Sequence, residues 1–163
     1  MTGSTLVQQT QLPRELKLQT RLGNDIVNCQ GIMKNPITKQ QIEDLKNRYH
    51  PISIRTCPSS IYNCHGLTFA ARRTWIAEND EIYKILHEDD YQQIQEGDIL
   101  PSDSVVYFDN DSFVIHSGIV VDKNKVFNVP IICSKWGHFF EAIHLLGSCP
   151  YQADNVKYYR IYR

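Results

Sequence analysis

The run Ser59-Ser60-Ile61-Tyr62-Asn63-Cys64-His65-Gly66-Leu67-Thr68-Phe69 reads as a loop passing straight into a helix, with a cysteine at the junction. A helix N-terminus carries unpaired backbone N–H groups and the positive end of the aligned peptide dipoles. Both favour the thiolate, which is the reactive form of cysteine. The same N–H groups can bind an oxyanion as it develops. Cys64 is therefore a candidate nucleophile, with its own backbone N–H as the first oxyanion donor and the Tyr62 hydroxyl or the Asn63 side chain as a second.

A cysteine nucleophile needs a base, and histidine is the usual one. There are six: His50, His65, His87, His116, His138 and His144. His65 adjoins Cys64 and on a helix points about 100° away from it. His87 lies on a polar helix face, and His50 precedes a proline. His116 is different, because it sits inside Phe113 to Val121, a run that is otherwise apolar or small. A strand histidine facing a helix N-terminus is the arrangement a cysteine hydrolase requires. Trp136, beside Lys135, could wall a substrate groove; the competing reading is an indole buried at a strand end. His138, Glu141 and His144 follow at helical spacing, but a metal site built from His144, Glu141 and Cys133 matches no recognised ligand spacing, and neither a metal nor any other cofactor is expected.

At this point the residues resemble a known family. Tyr62-Asn63-Cys64-His65-Gly66-Leu67 is similar to the Cys-x-Gly opening of the catalytic helix in NlpC-type papain-like hydrolases. Gly97-Asp98-Ile99 followed by Val105-Val106-Tyr107-Phe108 resembles their Gly-Asp turn and next strand, and His116-Ser117-Gly118-Ile119-Val120 resembles their His-x-Gly-Ile strand. The order Cys, Gly-Asp, His is the family's order, and the likeness covers roughly residues 60–132. It implies Cys64 as nucleophile and His116 as general base, then general acid. It also implies a third polar residue on the next strand, some twelve positions after the histidine, where Asn128 stands. An asparagine there would accept from the imidazole N–H and fix its tautomer. His116 and Asn128 share a sheet face if the connecting loop is centred on Asp122; a two-residue loop at Lys123-Asn124 turns Asn128 to the other face. Asp98 is expected to hold its turn rather than to do chemistry.

These residues must be positioned by the elements around them. Thr38 with Gln41 fits a capping box, and Ile42, Leu45 and Tyr49 follow at helical spacing, so a helix is expected over 38–49, ended by Pro51. The Cys64 helix is expected to run to about Ala77, with Cys64, Leu67, Thr68, Ala71 and Trp75 on one face. Asn79 or Asp80 caps a further short helix through Ile82, Ile85 and Leu86. Strands are expected over 104–108, 113–121, 125–132 and 156–162, with turns at Asp109-Asn110-Asp111 and Asp122–Asn124. Helices first and a strand meander after them make an α+β class. Together with the resemblance, this predicts a papain-like, NlpC-type fold: N-terminal helices, including the nucleophile helix, packed on an antiparallel sheet. Residues 1–12 are polar and read as a flexible arm, and 13–163 as a single domain.

Length and charge set the outer bounds. A chain of 163 residues can bury enough surface to be stable without disulfides. A net charge of −1 argues against a broad nucleic-acid or anionic-membrane surface. Cys29, Cys57, Cys64, Cys133 and Cys149 are odd in number and irregular in spacing, with no CxxC pair, which suggests free thiols in a reducing compartment. No secretory-signal pattern opens the sequence, and no apolar run approaches the ~20 residues of a membrane span. The expected location is the cytoplasm, or outside the cell by a route without a cleaved signal.

The reading is a thiol hydrolase that cleaves an amide or isopeptide bond through a thioester, with Cys64 as nucleophile and His116 as base. The resemblance implies peptidoglycan stem peptides as a substrate class. No wall-binding module is recognisable, so an effector or toxin with an immunity or regulatory protein partner fits as well, as does a cytosolic peptidase, deamidase or acyltransferase. The rival classes are a non-catalytic binding module on a papain-like scaffold and a zinc-stabilised interaction domain.

Overall fold

Among the described residues, seven strands, alternating in their side chains, make one sheet, and three short helices lie against it. The structure is a computed structural model that describes residues 13–162; the arm expected at 1–12 lies outside the described residues. In chain order the elements are α1 (Lys39–Arg48), β1 (Ile52–Ile54), α2 (Cys64–Phe69), α3 (Asn79–Glu88), β2 (Tyr91–Ile94), β3 (Ser104–Phe108), β4 (Val114–Asn124), β5 (Val129–Lys135), β6 (Glu141–Leu145) and β7 (Asn155–Ile161). The sheet order is β1-β6-β5-β4-β3-β7-β2, with every pair antiparallel. The class is α+β, as the order of elements predicts. Among the described residues no helix is long and apolar enough to cross a membrane.

The sheet has a core on each side. Val105, Tyr107, Val120, Ile132, Ala142 and Tyr158 project to one face, where Trp136 and Phe140 join them and α1 packs through Ile42, Leu45 and Tyr49. The other face meets α2 and α3, through Ala70, Ile82, Ile85 and Leu86, with Ile26 and Ile76 from the connecting chain. Strand alternation assigns neighbouring residues to opposite faces. In β4, Ser117 Oγ meets Thr68 Oγ1 and His65 Nδ1 of α2, while His116 pairs with Tyr107 and lies on the first face.

Local signals hold where tertiary contacts agree with them. Helix α1 carries the expected capping box, Thr38 with Gln41. Helix α2 is shorter than its periodicity suggests. After Ala70 the chain takes two successive left-handed residues, Ala71 (φ 49°) and Arg72 (φ 65°), and folds back. The returning strand of chain lies so close that a side chain at Gly66 would meet the Thr74 carbonyl oxygen at 1.8 Å. The β4–β5 hairpin also differs from expectation: β4 runs on to Asn124, whose Oδ1 accepts from the Val126 and Phe127 N–H groups and closes the turn. Glu141 and His144, which read as helical, lie on strand β6. On this strand the two side chains point to opposite faces, Glu141 toward Tyr62 and Arg72 and His144 toward Ser134, whereas helical spacing would have put them on one face.

Candidate active site

Asn63 fixes the start of α2. Its Oδ1 accepts from the Gly66 N–H (2.9 Å) and the Ile76 N–H (3.2 Å), and its Nδ2 donates to the Ile76 carbonyl (2.6 Å). It is therefore an N-cap and a clamp on the returning chain. With all three bonds made, it is not free to be the oxyanion donor the sequence suggested. Tyr62 is likewise engaged, donating to Glu141 Oε1 at 2.6 Å. Burial first, then that bond, pushes the Tyr62 phenol up to about 12. Arg72 closes the group, with Nε 2.6 Å from Glu141 Oε1 and Nη2 3.2 Å from Oε2. Burial alone would raise the Glu141 carboxyl, but the bonds from Arg72 and Tyr62 outweigh it and hold it below the usual range.

Cys64 sits where the sheet parts. The pairing of β4 with β5 ends at Ile119↔Cys133, although both strands continue past that point. The first turn of α2 enters beside this opening, and the Cys64 sulfur lies against the backbone N–H of Ser117 and those of Cys64 and His65. Those donors favour the thiolate, as the helix-terminus argument requires. Burial favours the thiol more strongly: Cys64 is 7% exposed, and its pKa is pushed up to about 11. The expectation of a lowered pKa is thus reversed, because desolvation penalises a charge more than three N–H dipoles reward it.

His116 lies next to Ser117 and is fully buried. Its ring meets Tyr107 edge-on, with centroids 5.1 Å apart, and is stacked on Tyr151 at 3.7 Å and 8°. Among the described residues neither ring nitrogen has a hydrogen-bond partner, so no bond joins it to the Cys64 sulfur. Burial holds the imidazole neutral, well below its usual pKa, and His65 and His144 push in the same direction. Lys135, the last residue of β5, is also fully buried, with Nζ donating to the carbonyls of Ser59 (2.8 Å), Gly137 (2.6 Å) and Phe139 (3.0 Å). Burial lowers its pKa to about 8. It ties the chain leading into α2 to the β5–β6 turn.

Two predicted site residues stand elsewhere. Asn128 is exposed in the turn after β4, with φ 54°, and is not on a strand beside His116. Strand β4 ends eight residues beyond His116, at Asn124, so roughly 26 Å of strand separates His116 from the turn that holds Asn128. Trp136 is a core residue, 2% exposed, edge-on to Tyr49 and donating from Nε1 to Ser134 Oγ; it does not wall a groove. His144 Nε2 is paired with that same Ser134 Oγ at 2.8 Å. Among the described residues no group of three His, Cys, Asp or Glu could hold a metal ion, and all five cysteines are free.

Sequence reading places Cys64 at the start of α2 and His116 on β4, and misses Ser117, Lys135, Glu141 and Tyr151. Ser117 occupies the unspecified position of the His-x-Gly-Ile run, which carries no signal of its own. Glu141 was read only as a metal candidate. Tyr151 lies in an irregular segment, and nothing in its local sequence marks it. No family model matches the chain, and comparison with curated proteins and with solved structures gives no match either.

Proposed function

We propose that this chain is a thiol hydrolase of the papain-like, NlpC type, acting on an amide bond, with Cys64 as nucleophile and His116 as base. One observation carries the reading. A fully buried histidine with two unpartnered ring nitrogens stands one residue from the N–H against which the cysteine sulfur rests. An unmet buried polar group costs about 1–3 kcal/mol, and such groups gather where a site is kept for something else to fill. The antiparallel sheet with α2 packed on it is the further support for the papain-like class.

The chemistry starts from a neutral pair rather than a thiolate–imidazolium pair. The neutral imidazole of His116 takes the thiol proton as the sulfur attacks the carbonyl carbon. The N–H groups of Cys64, His65 and Ser117, which face the sulfur, are the donors offered to the oxygen that becomes negative. The imidazolium then protonates the leaving amine, and water clears the thioester. Tyr151 and Tyr107 orient the ring by contact, in place of the hydrogen-bonded third residue of a Cys-His-Asn set.

The test is incubation with peptidoglycan fragments and with glutamine-containing peptides, read by mass, using the wild type, Cys64→Ala and His116→Ala. Products formed by the wild type and lost in both variants support the hydrolase. A second reading draws on burial: a buried, protonated Cys64 and a His116 covered by Tyr151 also suit a non-catalytic binding module. Products that persist in Cys64→Ala, or none with any amide, leave that second reading standing.

A further inference from the structure

Three of the four buried side-chain polar atoms without a partner among the described residues lie together: Tyr107 Oη and both ring nitrogens of His116. Tyr107 belongs to the wall of a cavity of about 260 Å³, whereas His116 does not line it and is reached from it only past Tyr151. Tyr151, the ring stacked on His116, is also part of the lining. Leu146, Ala153 and Val156 supply apolar walls, and Gln152 the one other polar side chain. No carboxylate, ammonium or guanidinium lines it.

Resting on the hydrolase reading above, we propose that this cavity is the substrate's way in and that it takes an uncharged primary carboxamide, such as a glutamine side chain. The chemistry of the walls selects the ligand. A charged group entering here would lose its hydration and find no counter-ion, at a cost far above that of a neutral polar group. A carboxamide brings one acceptor and two donors, which is what the waiting groups lack. Its oxygen accepts from the Tyr107 hydroxyl, and its NH₂ donates to the unprotonated nitrogen of His116. Tyr151 holds a flat ring where the flat amide would lie, so it must swing aside to admit it.

The reaction that follows is deamidation. The Cys64 sulfur bonds to the amide carbon as the C–N bond breaks, and the thiol proton passes through His116 to the departing ammonia. Water then cleaves the thioester, giving a carboxylate and restoring the thiol. The charged product is poorly held by an uncharged cavity, which favours its release.

The test separates recognition from turnover. N-acetylglutamine N-methylamide and its glutamate counterpart are titrated into Cys64→Ala, and in parallel into Cys64→Ser, while the ring signals of Tyr107 and Tyr151 are followed by NMR. The glutamine form is expected to shift both rings and to bind at least roughly tenfold more tightly than the glutamate form, and Tyr107→Phe is expected to narrow that gap. Equal binding of the two, or no shift at either ring, overturns the proposal. If the wild type cleaves peptide bonds through Cys64 while glutamine does not bind, the carboxamide pocket falls and the hydrolase stands. If glutamine binds but no amide is turned over, the pocket stands and the hydrolase falls.

Discussion

The imidazole of His116 lies flat on the phenol ring of Tyr151, with centroids 3.7 Å apart and planes within 8°. The two residues are 35 positions apart and come from a central strand and an irregular segment after β6. Their contact helps to bury the imidazole, which has no hydrogen-bond partner among the described residues. In the proposed enzyme Tyr151 is thus a cap that must move before the base can act.

Removing the cap should therefore expose the site selectively. Tyr151→Ala is expected to cost about 2 kcal/mol of stability, since the ring is half-buried. It should also raise the alkylation rate of Cys64 by iodoacetamide by roughly tenfold more than that of Cys133 and Cys149, which report overall opening. Site-resolved mass spectrometry reads all three. A uniform rise at the three thiols would mean that Tyr151 is only part of the core.

Cys64 itself should react as a thiol. With its pKa pushed up to about 11 by burial, its alkylation rate should climb through neutral pH without levelling off, toward a midpoint near that value. A plateau already reached below neutral pH would show a preformed thiolate–imidazolium pair and contradict the neutral-pair mechanism.

Acid should destabilise the fold through buried histidines. Burial lowers His65 from 6.5 to about 4, and its Nδ1 is paired with Ser117 Oγ at 2.8 Å. A folded pKa below the unfolded one means that the unfolded state binds more protons between the two values. Stability is then fully present above 6.5 and is lost as pH falls toward 4, by roughly 3 kcal/mol for this residue alone. His116 and His144, lowered by burial as well, act in the same direction. Thermal unfolding measured across this window should show the loss, and His65→Asn should flatten it. An unchanged slope in His65→Asn would rule out His65 as its source.

The Glu141 group should respond unequally to the loss of its two ends. Glu141 is almost fully buried, whereas the Arg72 side chain is 44% exposed. Arg72→Ala leaves a carboxylate inside without its cation and is expected to cost on the order of 3 kcal/mol. Glu141→Gln removes the buried charge and frees a guanidinium that water can reach, so its cost should be smaller. Chemical denaturation of both variants and of the double variant gives the order and the coupling. A larger loss in Glu141→Gln would show that the carboxylate is held mainly by something other than Arg72.

Much of this was legible in the residues. The capping box Thr38/Gln41, the helix start at Cys64 and the strands through Val105 and His116 are local patterns, written in a few adjacent side chains. The short strands at Ile52–Ile54 and Tyr91–Ile94 were not legible, since three or four residues carry too little alternation to distinguish a strand from a loop. The length of α2 was not either. Its periodicity continues to Trp75, but the Asn63 clamp and the Arg72–Glu141 pair pull the chain back after Ala70.

The sequence by itself determined the reacting types and their local settings: a cysteine opening a helix, a histidine within a strand, and the α+β order that brings such elements together. Tertiary structure alone decided their state. Whether Cys64 is thiol or thiolate, and whether His116 is free or capped, depends on how much water reaches them. That is fixed by residues such as Tyr151 and Lys135, which reach the site only when the sheet closes. Desolvation is a property of the packed neighbourhood, and no short stretch of sequence carries it.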